Sequence, residues 1–258
     1  MTKLHLQALP ALSDNYIWLL HDEEGNALVV DPGQAEPVLD ALHRERLQLR
    51  AILLTHHHPD HIGGVEALGK AAEIDIYAPD DPRIEIATHR IADGDHIKVS
   101  SPSFAFDVIG VPGHTSSHVA FHGNGFLFCG DTLFSIGCGR IFEGTPEQML
   151  TSLDRLAALP GDVEICCGHE YTVANCSFAL SVDPRNIALR TRLESARALR
   201  ARGQPTVPSR LSEELACNPF MRIDAPAVIE SLSELAPAAT NRIARFAAMR
   251  QMKDSFRA

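Results

Sequence analysis

The run Thr55-His56-His57-His58-Pro59-Asp60-His61 constrains this chain more than any other feature, because it gathers five metal-type side chains into six positions. It stands at the end of the apolar stretch Ala51–Thr55, which reads as a strand. In extended backbone, residues two apart project the same way, so His56 and His58 can share one cation while His57 points elsewhere. A tight turn at Pro59 can bring Asp60 and His61 back to the same pocket, and Gly63-Gly64 suits a crowded turn entering a helix. Imidazoles together with carboxylates suit zinc, iron or manganese.

Five such residues are too many for one tetrahedral ion, and two ions need further ligands. The chain supplies three: His114 in Gly113-His114-Thr115, Asp131 in Gly130-Asp131-Thr132 and His169 in Gly168-His169-Glu170. Each follows a glycine. Taken singly, an Asp after Gly is a turn former and a His beside Gly is a cap. Four elements of this kind in one chain, each near a strand end, point to a metal centre. Asp31, at the end of the strand Ala27–Val30, is a candidate to orient a ligand imidazole from behind. His118 reads as structural or supporting.

The first two-thirds alternates short apolar runs with turns. Strands are expected at Leu4–Leu9, Tyr16–Leu20, Ala27–Val30, Ala51–Thr55, Phe104–Gly110, His118–Phe121, Gly125–Cys129 and Val163–Cys167. Helices are expected at Glu36–Arg46, Ile62–Lys70 and Pro146–Leu159, the last with Thr145 as N-cap and Gln148 closing a capping box. Beyond Thr172 the pattern turns helical: Pro184–Arg202, a short helix capped by Ser209, Ala225–Leu235 and Ala239–Lys253. Two domains follow from this switch, residues 1–172 and 173–258.

The charge follows the same division. Residues 1–171 carry 10 basic and 25 acidic side chains, whereas residues 172–258 carry 13 and 8. A net charge of −10 argues against nucleic acid as the main partner. No apolar stretch approaches a membrane span, and Met1–Leu20 lacks a continuous apolar run for secretion. The expectation is a cytoplasmic, monomeric protein without a membrane partner. The six cysteines form no CxxC pair and are expected to be reduced.

The HxHxDH run with the later His, Asp and His resembles the metallo-β-lactamase superfamily. Ser13-Asp14-Asn15-Tyr16, Gly130-Asp131-Thr132-Leu133-Phe134, Gly137-Cys138-Gly139-Arg140, Phe142-Glu143-Gly144-Thr145, Gly168-His169-Glu170-Tyr171-Thr172 and Asn218-Pro219-Phe220 narrow the resemblance. They are similar to the hydroxyacylglutathione hydrolase (glyoxalase II) family over essentially the whole chain. The resemblance implies an α/β fold, a four-layered αββα sandwich followed by a smaller helical C-terminal domain that binds substrate. It implies one ion on His56, His58 and His114, another on Asp60, His61 and His169, and Asp131 bridging them. Zinc is the first choice of metal, with iron and manganese as alternatives.

The reaction so implied is hydrolysis of the thioester S-D-lactoylglutathione to D-lactate and glutathione by a water held between the ions, with Asp60 and Asp131 at the centre of the chemistry. Substrate contacts carry over to Tyr171, Arg250 and Lys253, and to Arg140, which stands where the family has lysine. Phe142 replaces a family tyrosine and lacks its hydroxyl. Other enzymes of the fold (a general thioesterase, a lactonase or a persulfide dioxygenase) are the alternatives, and a non-catalytic metal- or nucleic-acid-binding member is the remaining one.

Overall fold

The computed structural model describes residues 3–69, 74–100 and 103–257. By its contacts the chain forms two compact units, Met1–Gly110 with Ser117–Gly130, and Val111–Ser116 with Asp131–Ala258.

The first unit contains β1 (Leu4–Ala11), β2 (Asn15–Asp22), β3 (Asn26–Val30), α1 (Glu36–Glu45), β4 (Gln48–Leu53), α2 (Pro59–Ile62), α3 (Val65–Gly69), β5 (Asp75–Pro79), β6 (His89–Ile91), β7 (His96–Ser100), β8 (Ser103–Gly110), β9 (Val119–Gly123) and β10 (Phe126–Gly130). Strands β1 to β6 form one sheet in sequence order, antiparallel from β1 to β3 and parallel from β3 to β6. Strands β7 to β10 make an antiparallel run.

Strand alternation explains why the first sheet has two apolar faces. Ile17, Leu19, Ala27 and Val29 join Val38 and Ala41 of α1 and Val65 and Leu68 of α3 in one cluster. Trp18, on the other face of β2, meets Phe128 of β10 at 6.5 Å between ring centroids, and Phe128 meets Phe106 of β8 at 5.9 Å. The sheet is therefore sandwiched between helices and β7–β10, and β2 and β3 are buried along nearly their whole length because both faces are covered.

The second unit contains β11 (Leu133–Phe134), β12 (Gly137–Cys138), α4 (Pro146–Ala157), β13 (Glu164–Cys167), α5 (Thr172–Val182), α6 (Ile187–Ala201), β14 (Ser209–Arg210), α7 (Leu211–Cys217), α8 (Pro226–Leu235) and α9 (Arg242–Ser255). Helix α4 has the expected capping box: Gln148 N donates to Thr145 Oγ1, and Thr145 N donates to Gln148 Oε1. Phe220 lies between Phe178 of α5 and Phe246 of α9, which ties the tail helices together. The six cysteines are free and buried.

Several expectations need correction. Thr172–Val182 is a helix that the sequence pattern does not reveal, and β5, β6, β7, β11, β12 and β14 are likewise additions to the expected strands. Ser209 sits in β14 and Arg210 is the residue preceding α7, so Ser209 does not cap that helix. The helix expected over Ile62–Lys70 divides at Gly63-Gly64 into α2 and α3, and its expected end, Lys70, lies outside the described residues.

Candidate metal centre

The first unit builds its share of the centre from the ends of β3 and β4. Asp31 follows β3 in the left-handed region, at φ +52°, a conformation that Asp tolerates better than most residues. Its Oδ1 accepts the Thr55 backbone N–H at 2.8 Å, and its Oδ2 accepts the Thr55 hydroxyl at 2.7 Å. The same Oδ2 lies 2.9 Å from His61 Nδ1. Asp31 thus holds the His61 ring by Nδ1 and leaves Nε2 on the side of Asp60, 3.5 Å from Oδ2.

The turn at Pro59 is the short helix α2, in which His61 N donates to the His58 carbonyl. It returns Asp60 and His61 towards His56, whose ring lies 4.2 Å from that of His61. His56 Nδ1 is 3.0 Å from Thr55 Oγ1, and its Nε2 is 3.0 Å from His58 Nδ1. Alternation along the strand end therefore pairs His56 with His58. His57 turns instead to Asp81, at 3.6 Å. His118 stacks on His56 with centroids 4.6 Å apart, a supporting role. Asn15 Nδ2 donates to Asp60 Oδ2 at 2.9 Å, a support 45 residues distant that local spacing could not reveal.

The second unit brings His114, Asp131 and His169 together. His114 Nε2 and His169 Nε2 lie 3.5 and 3.3 Å from the same oxygen, Asp131 Oδ2. The other nitrogen of His114, Nδ1, is 2.7 Å from the Arg140 carbonyl, which selects the tautomer with a lone pair on Nε2. His169 is stacked flat on Tyr171, with centroids 4.8 Å apart. Gly139 is required here: a Cβ at this position would lie 1.8 Å from the Asp131 carbonyl oxygen and 3.3 Å from His114 Nδ1. Gly139→Ala is expected to displace both side chains, costing about 2–4 kcal/mol of stability and lowering the metal content of the purified protein; thermal melting and metal analysis on one sample check it.

These donor sets fit divalent ions. Ligand atoms about 2.1 Å from a tetrahedral ion stand about 3.4 Å apart, close to the separations within each unit. The imidazoles of His61 and His114 hold one nitrogen on a protein acceptor and present the other to a carboxylate, the arrangement that ligands need. His56, His61, His114, Asp131 and His169 are buried, so the donors are shielded from water.

The second unit also encloses a cavity of about 430 Å³, with His114 and Asp131 in its wall. All four residues expected to bind substrate, Arg140, Tyr171, Arg250 and Lys253, line it. Arg250 is buried, donates from Nη1 to the Cys138 carbonyl at 2.6 Å, and lies over the Phe220 ring at 5.3 Å. Lys253 Nζ lies 5.5 Å from the Phe178 ring, and burial, with a lesser contribution from Arg250, pulls its pKa down to about 8. Phe142 is exposed beside His114 and presents no hydroxyl. Sequence reasoning missed Asp254, which also lines the cavity and accepts from both Arg140 and Arg250.

Comparison with known proteins agrees with this geometry. The metallo-beta-lactamase superfamily model matches residues 12–169, and the model of the hydroxyacylglutathione hydrolase C-terminus matches residues 170–256. A hydroxyacylglutathione hydrolase of Xanthomonas campestris pv. campestris is 52% identical, over 99% of this chain and 100% of its own. One from Xylella fastidiosa is 51% identical, over 98% of each chain. Among solved structures, ETHE1 from Myxococcus xanthus shares the fold with a TM-score of 0.65 at 23% identity, covering 97% of this chain and 98% of its own. TTHA1623 in a di-iron-bound form is 30% identical with a TM-score of 0.55, covering 64% of this chain and 91% of its own.

Sheets, helices and clustered His and Asp donors define an enzyme of the metallo-β-lactamase fold, a mixed α/β architecture with a helical C-terminal region. Within that superfamily the chain belongs to the hydroxyacylglutathione hydrolase family.

Proposed function

We propose that the protein hydrolyses the thioester of S-D-lactoylglutathione to D-lactate and glutathione, the second step of methylglyoxal detoxification, as a cytoplasmic monomer with two divalent ions. The observation that carries this reading is the convergence of His114 and His169 on Asp131 in the wall of the same cavity that Arg140, Tyr171, Arg250 and Lys253 line. Among the described residues no helix is long and apolar enough to cross a membrane.

The proposed ligand sets are His56, His58 and His114 for one ion, Asp60, His61 and His169 for the other, and Asp131 for both. Zinc is the first choice; the di-iron form of the 30% identical TTHA1623 supports a pair of ions and keeps iron as an alternative. Ions so held would supply a water of lowered pKa and a positive charge facing the thioester carbonyl. Asp60 and Asp131 offer carboxylate oxygens that accept from the O–H bonds of that water and orient it. Attack of that oxygen on the carbonyl carbon would break the C–S bond, with glutathione leaving as thiolate, the acyl group as D-lactate, and the two protons of the water passing to solvent. A thiol of pKa about 8.5 departs without a general acid. Residues 173–258 form the substrate-binding region, where Arg250 and Lys253 match the two carboxylates of glutathione.

Release of free thiol from S-D-lactoylglutathione, with metal content measured on the same sample, tests this reading. A sample with two ions per chain and no thiol release overturns the substrate and leaves the family standing.

The titration of Lys253 adds a pH dependence. Its ammonium is present below about pH 8 and is lost above it, so attraction for a substrate carboxylate falls as pH rises. KM is expected to climb up to about tenfold between pH 7 and 9, and Lys253→Met should flatten that rise. The sign for stability is opposite. The folded-state pKa is depressed from 10.5 to about 8, so the charged form opposes folding and this group's contribution to stability improves between those values.

A further inference from the structure

We propose that Asp254 is a specificity-determining positioning residue: its carboxylate holds Arg140 against Arg250 and so sets where the cavity receives a glutathione carboxylate. The inference rests on the functional reading above and deepens it.

Arg140 lies on the segment after β12, exposed, with a long side chain of many rotamers. Such an arm recognises an anion well only if it is held in place before the anion arrives. Asp254, on the last turn of α9 and 114 residues away, does this: its Oδ1 accepts from Arg140 Nε at 3.2 Å and from Arg250 Nη2 at 3.1 Å. One oxygen thus gathers two guanidinium groups.

The choice of nitrogen matters. The bond to Arg140 uses Nε, so it leaves the planar pair of terminal nitrogens, the face that matches a carboxylate with two parallel hydrogen bonds. Arg250 is held more tightly: its Nη1 is on the Cys138 carbonyl and its Nη2 on Asp254, which leaves one further N–H on each terminal nitrogen. Arg250 is therefore a fixed cation in the cavity wall, and Arg140 is the arm whose reach Asp254 sets. The Arg140 guanidinium also lies 5.9 Å from the exposed Phe142 ring, which bounds its swing on the other side. In this chain arginine and phenylalanine stand together where the family resemblance leads one to expect lysine and tyrosine. An arginine tethered through Nε and flanked by a ring replaces two separate polar contacts with one oriented fork.

Asp254 is also the anion that accompanies a buried guanidinium, and a negative group next to Lys253 that opposes the effect of burial on its ammonium. Removing it loosens the cationic wall as a set.

The test uses the full chain with its metals and compares wild type, Asp254→Asn, Asp254→Glu, Arg140→Gln and the Asp254→Asn/Arg140→Gln double variant. Turnover of S-D-lactoylglutathione gives KM and kcat, and titration calorimetry gives the Kd of glutathione itself. For Asp254→Asn, KM and Kd are expected to rise roughly tenfold, with kcat within about twofold and metal content unchanged. Asp254→Glu keeps the counter-charge for Arg250 but lengthens the tether, so it should fold and show a smaller rise. The double variant should be no worse than the more impaired single variant, since both remove one device.

Unchanged KM and Kd in both Asp254 variants would overturn the proposal. So would tighter binding, which would make Asp254 a competitor of the substrate, or full multiplication of the two single effects. Absence of wild-type turnover would instead strike the functional reading, while the calorimetric comparison would still judge Asp254.

Discussion

Asp131→Asn is expected to lower the metal content from two ions per chain to one or fewer and to reduce kcat/KM by on the order of a thousandfold, about 4 kcal/mol of transition-state stabilisation. The size follows from the position of one oxygen. Asp131 Oδ2 stands 3.5 Å from His114 Nε2 and 3.3 Å from His169 Nε2, two imidazoles proposed to serve different ions. An amide at this position offers a single neutral oxygen and turns an NH2 group, a pure donor, towards one of the two sets. It removes a negative charge from between the two proposed cations and leaves the neighbouring backbone undisturbed, so the protein should fold. Thiol-release kinetics and metal analysis on one preparation decide it. An Asp131→Asn variant with two ions and near-normal rates would show that the bridge lies elsewhere.

The second large effect concerns stability and lies away from the metals. Glu214 is fully buried on α7, and three groups donate to its carboxylate: Ile136 N at 2.7 Å, Ser209 Oγ at 2.7 Å and Asn218 Nδ2 at 3.1 Å. Ile136 is a β-branched residue at φ +61° in the turn between β11 and β12, a conformation that side chains of its kind avoid. Asn218, the first residue of Asn-Pro-Phe, donates to the Gly137 carbonyl at 2.9 Å and accepts from Phe220 N at 3.1 Å. Glu214→Ala would leave the turn strained and take the acceptor from two buried donors, Ile136 N and Ser209 Oγ, costing about 3–5 kcal/mol.

Glu214→Gln discriminates the role of shape from that of charge. Burial pushes the Glu214 pKa above its ordinary value, against the opposing effect of its hydrogen bonds. A raised carboxyl pKa favours folding in the protonated state, so this group's contribution is greatest at acid pH and declines as pH rises through the folded-state value. The glutamine variant keeps an acceptor for Ile136 N and does not titrate. Its stability relative to wild type should therefore improve as pH rises, which denaturant melts between pH 4 and 8 would reveal. A constant difference across that range would show that the carboxyl does not titrate there.

What is visible in the sequence depends on distance along the chain. The His56–His61 run is local, and strand alternation is enough to separate His57 from its neighbours. The capping box of α4 is equally local, three residues from Thr145 to Gln148. Helix α5 is not legible because it is apolar on most sides: Cys176, Phe178, Ala179 and Val182 are all buried, which erases the amphipathic period. The turn of the β11–β12 hairpin is hidden because Ser135-Ile136 carries none of the Asn-Gly chemistry that marks tight hairpins. Strands β5 to β7 lie among charged and polar residues, and β6 has only three residues.

At the centre itself, the ligand types are visible and most of their supports are not. Asp31 reaches Thr55 and His61 over 24 and 30 residues, and Asn15 reaches Asp60 over 45. The Asp254 tether spans 114 residues and involves an acidic side chain in a basic tail, where charge counting alone gives it no role. Asn-Pro-Phe marks the family resemblance, and the structure gives its physical use in holding the β11–β12 turn.

The division of the chain into compact units bears on how this enzyme could be recombined. The family models meet between residues 169 and 170, which suggests a catalytic cassette with an exchangeable tail. The contacts group residues 111–116 and everything from 131 onwards into one body, so His114, Asp131 and His169 share their folding unit with α5 to α9. A chimaera joined at residue 170 would part His114, Asp131 and His169 from helices α5 to α9 of the same compact unit, so the proposed metal ligands would register a mismatch as directly as the substrate pocket. Recombination that keeps residues 111–116 and 131–258 from one parent leaves that unit whole.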